Sequence, residues 1–245
     1  MEVNLFFHHI LLTLGYDVYL VGARVYKAAT KTYGGWTHVV NLATIAEKKY
    51  MLDGGFGGNG PTGPVLLAHN AAAPQIAPSE MRLMHEPIPQ CLDRGQKVWI
   101  YQYRNDYKTK WCFTETKFLL EDVESMNFAP MRNPQTLFTH KVLCCRFTTA
   151  NEALNDGRGG PDSPPLPGSP GEFSMEGEID GKITVYHDVL KWWRRGEKLV
   201  EIKFPNEAKK VLALRMYFGI LISEDEERAI LGSAAAVETP SAGLE

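Results

Sequence analysis

The chain has 245 residues, 44% of them hydrophobic, and a formal net charge of −3. That is enough for a sizeable core in one large domain or two to three small ones. The near-balanced charge excludes a nucleic-acid binder of the usual kind, which needs a clustered basic face. No apolar stretch approaches the roughly 20 residues that span a bilayer.

In "EVNLFFHHILLTLGYD", Val3, Phe6, Phe7, Ile10, Leu11 and Leu14 recur at helical spacing. Gly15 suits the end of that helix. Its start has no Ser, Thr, Asp or Asn cap, so the helix reads as cut into rather than begun. The N-terminus also lacks a basic leader with a small-residue cleavage site, so no signal peptide is expected.

Strand-like runs follow. "DVYLVGARVYK" alternates, and "WTHVVNLATI" and "KKYMLD" are joined through "AEKK". "QKVWIYQYRN" and "KWCFTETKFL" form a second hairpin around Asp106–Lys108. Short strands without alternating helices point to an antiparallel barrel or sandwich. "EDVESMNFAPM" reads as a short helix ended by Pro130, and "TLFTHKVLCCRFTT" as a buried strand.

From 151 to 178 the composition changes to Gly, Pro and Ser, as in "GRGGPDSPPLPGSPGEF". Such a segment cannot bury enough apolar surface to offset its ordering entropy, and is expected to be a mobile loop. Beyond it, "KITVYHDVLKWW" and "KLVEIKF" are expected strands. "NEAKKVLALRMYFGI" is expected to be a helix capped by Asn206. "SEDEERAILG" makes a final short helix with Ser223 as cap and Gly232 as stop. The last dozen residues read as a disordered tail.

His38 and Asp53 sit near the open end of one hairpin if its turn falls within Ala46–Lys49. A carboxylate beside an imidazole fixes its tautomer and stabilises its protonated form, which is the orienter and base of a catalytic triad. A satisfied strand histidine and a turn aspartate are the bland alternative. The glycine run "GGFGGNGPTGP" is neither a Walker motif nor a dinucleotide fingerprint. It is bare backbone that a phosphate or thioester could approach, or simply a flexible loop. The basic cluster Lys191–Lys198 reads more cheaply as a solvated strand end than as a phosphate patch. His8, His9, His69, His85, His140 and His187 show no ligand spacing, so no metal is expected. Cys91, Cys112, Cys144 and Cys145 match neither a zinc site nor a disulfide framework, and read as reduced thiols of a cytoplasmic protein.

Taken together, "MEVNLFFHHILLTLGYDVYLVGARV", "GGWTHVVNL" and "YMLDGGFGGNGPTGP" resemble the arylamine N-acetyltransferases, the fungal members most. The likeness resumes at "FTETKFLLEDVESMNF" and "NPQTLFTHKVLCC", and more faintly at "KITVYHDVLKWW" and "LRMYFGILIS". The resemblance implies an α+β fold: a helical bundle, an antiparallel β-barrel and a C-terminal α/β lid. The expected divisions are 1–15 for a remnant of the bundle, 16–120 for the barrel and 121–150 for an interdomain helix and strand. The Pro/Gly-rich loop at 151–178, the lid at 179–232 and the tail at 233–245 complete them.

The resemblance also implies a xenobiotic-metabolising enzyme. An acyl group from acetyl-CoA or malonyl-CoA would pass through a cysteine thioester to a small aromatic amine or hydrazine, without a metal. His38 and Asp53 would be the triad histidine and aspartate, and Phe56 would shape the substrate pocket. Gly35 and Thr148 would contact coenzyme A. The family's cysteine would directly precede Met1, so the chain is expected to be truncated there. It would then be inactive alone, poorly stable, and apolar where a bundle would cover the barrel. The alternatives are a non-catalytic degenerate paralogue that binds coenzyme A or nothing, and a different Cys-His-Asp hydrolase or transglutaminase-like enzyme.

Overall fold

A computed structural model describes residues 1–104, 106–134, 136–150, 152 and 177–237. It divides into two compact units, Met1–Asn133 and Pro134–Glu245. The expected loop at 151–178 lies almost wholly outside the described residues.

The first unit opens with α1 (Glu2–Thr13), which has no side-chain cap at its start and is followed by Gly15 at φ +82°. Eight strands follow: β1 (Asp17–Lys27), β2 (Thr32–Ile45), β3 (Lys48–Leu52), β4 (Val65–Leu66), β5 (Ala72–Pro74), β6 (Glu80–Glu86), β7 (Val98–Tyr103) and β8 (Lys108–Phe118). They form one antiparallel sheet in the order β4-β3-β2-β1-β8-β7-β6-β5. A bridge between His69 and Leu83 brings its two ends together, so the sheet is a nearly closed barrel. Val21, Val40, Leu42, Met51, Leu83, Tyr101, Trp111 and Phe113 fill the interior from both halves of the sheet. Strands β4 to β6 were not anticipated. Two are very short, and β6 is rich in Met and charge rather than in β-branched residues.

Helix α2 (Leu120–Arg132) starts with the Leu119 N–H donating to Asp122 Oδ2 at 2.8 Å. It runs past Pro130, which sits in its last turn and interrupts nothing beyond it. Val123 packs with Leu20 and Val39. This helix, expected between domains, therefore belongs to the barrel unit.

The second unit has a four-stranded antiparallel sheet of β9 (Leu143–Thr149), β10 (Ile179–Tyr186), β11 (Val189–Arg194) and β12 (Glu197–Lys203), in the order β12-β11-β10-β9. The run expected as one strand, "KITVYHDVLKWW", is a hairpin that turns at His187, where φ is +55°. The buried strand expected from 136 begins only at Leu143. It is an edge strand, partly exposed for most of its length, and a single 3-10 turn over Leu137–Thr139 precedes it. Helix α3 (Glu207–Phe218) covers the sheet through Ala213 and Leu214 on Ile183, Val185, Leu190 and Trp192. Asn206 caps α3, its Oδ1 accepting from the Lys209 N–H. Helix α4 (Glu224–Ala229) has a capping box between Ser223 and Glu226.

The expected tail starts too early. Val237 is buried, and its N–H donates to Glu207 Oε2 at 2.9 Å. Glu207 also pairs with the fully buried Lys210 at 2.8 Å, and Lys210 donates to the Ala235 carbonyl. Residues 233–237 are thus docked on α3 by a shared polar cluster, which satisfies charges that could not otherwise be buried.

Candidate functional site

The turn joining β2 to β3 is Ala46–Glu47, both at positive φ, and it sets the register Ile45↔Lys48 to Asn41↔Leu52. Asp53 is the next residue after β3, so the hairpin itself carries it toward His38 on β2. A bulge against β1 does the rest. Ala23 pairs with His38 but Arg24 pairs with Trp36, so Thr37 is the extra residue. The bulge keeps His38 on the face of Val40 and Leu42 and sends Trp36 to the other side. There its ring lies under the Arg24 guanidinium at 3.8 Å and edge-on to Phe118.

His38 and Asp53 are in direct contact. The His38 Nε2–H donates to Asp53 Oδ2 at 2.7 Å, and both residues are buried. The other carboxylate oxygen, Oδ1, accepts from Asn4 Nδ2 at 2.8 Å, the Gly55 N–H at 2.9 Å and the Phe56 N–H at 3.1 Å. Burial by itself pushes the Asp53 carboxyl up. The His38 charge and these hydrogen bonds outweigh it and hold the group below the usual carboxylate range. An ionised Asp53 fixes Nε2 as a donor and leaves Nδ1 as the nitrogen open to a reacting group. No hydrogen bond to Nδ1 is present among the described residues.

Aromatic rings enclose the imidazole. Phe56 lies edge-on at 5.3 Å and Trp111 at 5.6 Å, and the two pack on each other at 4.3 Å. Tyr101 stacks on Trp111 at 4.1 Å. This low-dielectric wall strengthens the His38–Asp53 interaction.

Sequence reasoning missed Asn4, which is fully buried in the first turn of α1. Its Nδ2 also donates to the Val39 carbonyl at 2.6 Å, and its Oδ1 accepts from the Gly54 N–H at 2.8 Å. Asn41 extends the network: its Nδ2 donates to the Asn4 carbonyl at 3.0 Å, while its Oδ1 accepts from His8 Nδ1 at 2.9 Å. A signal was available. Asn4 lies at helical spacing from Phe7 and Leu11, on the stripe that packs down, and a polar residue there needs partners. The other apolar stripe of α1, with Val3 at 57% and Phe6 at 69% exposure, faces outward.

Of the remaining expected residues, Phe56 is at the site. Gly35 is on β2 in the first unit, exposed, with open space where a side chain would be. Thr148 is in the second unit and fully buried. A Cβ on Gly181 would lie 2.5 Å from its hydroxyl, which has no hydrogen-bond partner among the described residues. Any contact from Thr148 to a cofactor would need that packing to open.

Neither cysteine of the barrel unit is placed as a nucleophile for His38. On β8, Trp111 and Phe113 point into the barrel, and Cys112 between them points to a separate cluster with Tyr33, Val98 and Ile100, against which Cys91 packs. Burial pushes the Cys112 thiol up to about 12. Cys144 and Cys145 belong to β9 of the other unit. Among the described residues no group of three or more His, Cys, Asp or Glu could hold a metal, and no helix is long and apolar enough to cross a membrane.

Residues 1–157 match the family model described as N-acetyltransferase, which is well over half of the chain. The chain belongs to the arylamine N-acetyltransferase family. An N-malonyltransferase of Fusarium pseudograminearum is 26% identical over 94% of this chain and 67% of its own length. An arylamine N-acetyltransferase / N-hydroxyarylamine O-acetyltransferase of Salmonella typhimurium is 24% identical over 99% of this chain and 75% of its own. The solved structure of the Salmonella typhimurium arylamine N-acetyltransferase superposes with a TM-score of 0.71 at 23% identity, over 94% of this chain and 73% of that one. The chain thus spans about two thirds of the length of the malonyltransferase relatives it matches. Members of this family are acyltransferases that use acyl-CoA, and this chain has their barrel-centred α+β fold.

Proposed function

We propose that the chain carries the base and orienter of an acyl transfer from acetyl-CoA or malonyl-CoA to a small aromatic amine or hydrazine. The observation that supports this most is the buried His38–Asp53 pair with Nδ1 left open. Asn4 ties the first turn of α1 to Val39 and Asp53, and a thiol directly ahead of Met1 would stand about one helical turn from Asn4. The helix N-terminus and an imidazolium both stabilise a thiolate.

In this reading the thiolate attacks the thioester carbonyl of acyl-CoA. The C–S bond to coenzyme A breaks, and its sulfur leaves with the proton held at His38 Nδ1. The amine nitrogen then attacks the enzyme thioester, His38 takes its proton, and the enzyme thiolate leaves. Phe56 and Trp111 supply an apolar wall for the aromatic ring. Gly35 is accessible to the donor; Thr148 is a weaker contact candidate because it is packed under Gly181. The reading places the enzyme in the cytoplasm.

No thiol of the first unit stands at His38 among the described residues, and the chain by itself is expected to form no acyl-enzyme. The test compares it with the same chain extended by a residue ahead of Met1, either Cys or Ser, mixed with each CoA ester and then an aromatic amine. Mass spectrometry reads the acyl adduct, and chromatography reads the acylated amine. An adduct on the Cys form alone supports the reading. No adduct on the Cys form refutes it and favours a non-catalytic binder.

A further inference from the structure

Helix α1 and strand β2 run in step. Val40 and Leu42 of β2 point into the barrel, while Val39 and Ala43 belong to clusters on the other face, with Asn41 between them. On that face Asn4 donates to the Val39 carbonyl, His8 meets Asn41, and Leu11 clusters with Ala43. Four residues of helix rise about 6 Å and two residues of strand about 6.6 Å. The steps from Asn4 to His8 and from Val39 to Asn41 are therefore nearly equal.

The contact at His8 is directional. Asn41 is fully buried, and its Nδ2 donates to the Asn4 carbonyl at 3.0 Å. A carbonyl only accepts, so this bond fixes which way the amide faces and turns Oδ1 toward His8. Asn41 Oδ1 lies 2.9 Å from His8 Nδ1, which must then carry a proton. Burial pushes half-buried His8 below its ordinary range; the Asn41 bond opposes this and the charge of His9 adds to it. At neutral pH His8 is thus a neutral imidazole whose one N–H sits at Nδ1.

A helix tethered by one hydrogen bond can pivot about it, whereas a second tether one turn away fixes its axis. Leu5 and Leu11 hold α1 against the sheet, but apolar contact is non-directional and tolerates rotation. The His8–Asn41 bond supplies the second direction, on the strand that also carries His38. It thereby keeps the Asn4 amide at Asp53 Oδ1.

We propose that His8 is a positioning residue for the His38–Asp53 pair, acting through Asn41 and Asn4. It touches no reacting atom. Its purpose rests on the acyl-transfer reading, in which the first turn of α1 follows the thiol and its orientation aims that thiol. Its geometry can be tested without substrate or thiol.

The test is nuclear magnetic resonance on the chain with nitrogen-15-labelled histidine. At neutral pH the unaltered protein is expected to show His8 protonated at Nδ1 and bare at Nε2. Exchange of the His38 Nε2–H with water is then followed, the signal being assigned by its loss in His38→Gln. In His8→Leu this proton is expected to exchange about tenfold faster, the usual effect of one lost buried hydrogen bond, while slow backbone amides of β7 and β8 keep their rates. His8→Asn, which puts an amide N–H where Nδ1 stands, is expected to restore the slow rate. A bare Nδ1 in the unaltered protein overturns the proposal, as does an unchanged His38 rate in His8→Leu. Equal acceleration of all amides, the mark of a merely structural role, or no rescue by His8→Asn also overturns it. Should His8→Leu not fold, the tautomer and the His8→Asn rate decide alone. Failure of the acyl-transfer reading shows instead as no adduct on the Cys-extended chain, which leaves these spectra unchanged.

Discussion

Asn4 Nδ2 lies 2.8 Å from Asp53 Oδ1, and this one hydrogen bond joins the first turn of a helix to the carboxylate that holds the histidine. Asp53 is consequently positioned from two directions, by its own hairpin and by a helix residue, Asn4, 49 positions away in the chain. A triad orienter fixed in this way cannot rotate without breaking contacts to Asn4, Gly55 and Phe56.

Asn4→Ala should therefore destabilise the first unit by about 2–4 kcal/mol. It strips a donor from a buried carboxylate and leaves the Gly54 N–H and the Val39 carbonyl short of a partner. Urea unfolding followed by tryptophan fluorescence measures it. A loss under about 0.5 kcal/mol, the usual size of a surface substitution, would show that the network contributes little.

The Asp53 carboxyl is held below its ordinary range in the folded chain. A depressed folded value means the stabilisation is fully present above the unfolded value, about 3.9, and is lost as pH falls through the folded value. Urea midpoints should accordingly drop as pH falls below about 4. The Asp53→Asn variant, which cannot titrate there, should show a shallower drop over the same range. Parallel pH profiles for the two proteins would contradict this.

Gly181→Ala tests the packing around Thr148. The new Cβ would lie 2.5 Å from the Thr148 hydroxyl and 2.5 Å from the backbone carbonyl of Trp193, which has little room to move. Overpacking of this kind should cost about 1–3 kcal/mol and lower the thermal midpoint of the second unit. An unchanged midpoint would mean that the sheet opens easily at this point. Thr148 would then be available to a cofactor.

Thiol labelling should rank the cysteines of the barrel unit. Cys112 is buried and its thiol is pushed up to about 12, whereas Cys91 is only partly buried. At neutral pH Cys91 should react with iodoacetamide well before Cys112, as peptide mass spectrometry would record. Early modification of Cys112 would show that the barrel end near Tyr33 opens readily.

Phe6→Ser should lower binding of an apolar fluorescent dye without reducing the urea midpoint, because this side chain points outward from α1 and supports no core. A loss of stability would place Phe6 in a packed contact instead.

Periodicity and turn chemistry were enough for much of the local structure. Strand β1, the β2–β3 and β7–β8 hairpins, and the Asn206 and Ser223 caps depend on neighbours a few residues away, and all stand where expected. The hairpin register alone put His38 beside Asp53, because a two-residue turn leaves little freedom for the strands it joins. Errors fell where longer-range contacts decide. "KITVYHDVLKWW" reads as one apolar run, but its pairing with β9 and β12 requires a reversal at His187. Val237 looks like tail until the Glu207 carboxylate, 30 residues earlier, is seen to accept from its backbone.

The sequence by itself determined the family, the antiparallel barrel and the pairing of His38 with Asp53, since motif order and strand alternation are written along the chain. Only the tertiary structure decided that Asn4 and Asn41 tie a helix to that pair and that Thr148 is packed under Gly181. Each of those depends on which side chains closure of a barrel or a sheet brings together across tens of residues. Burial then sets the energy of the contact, and no local pattern records it.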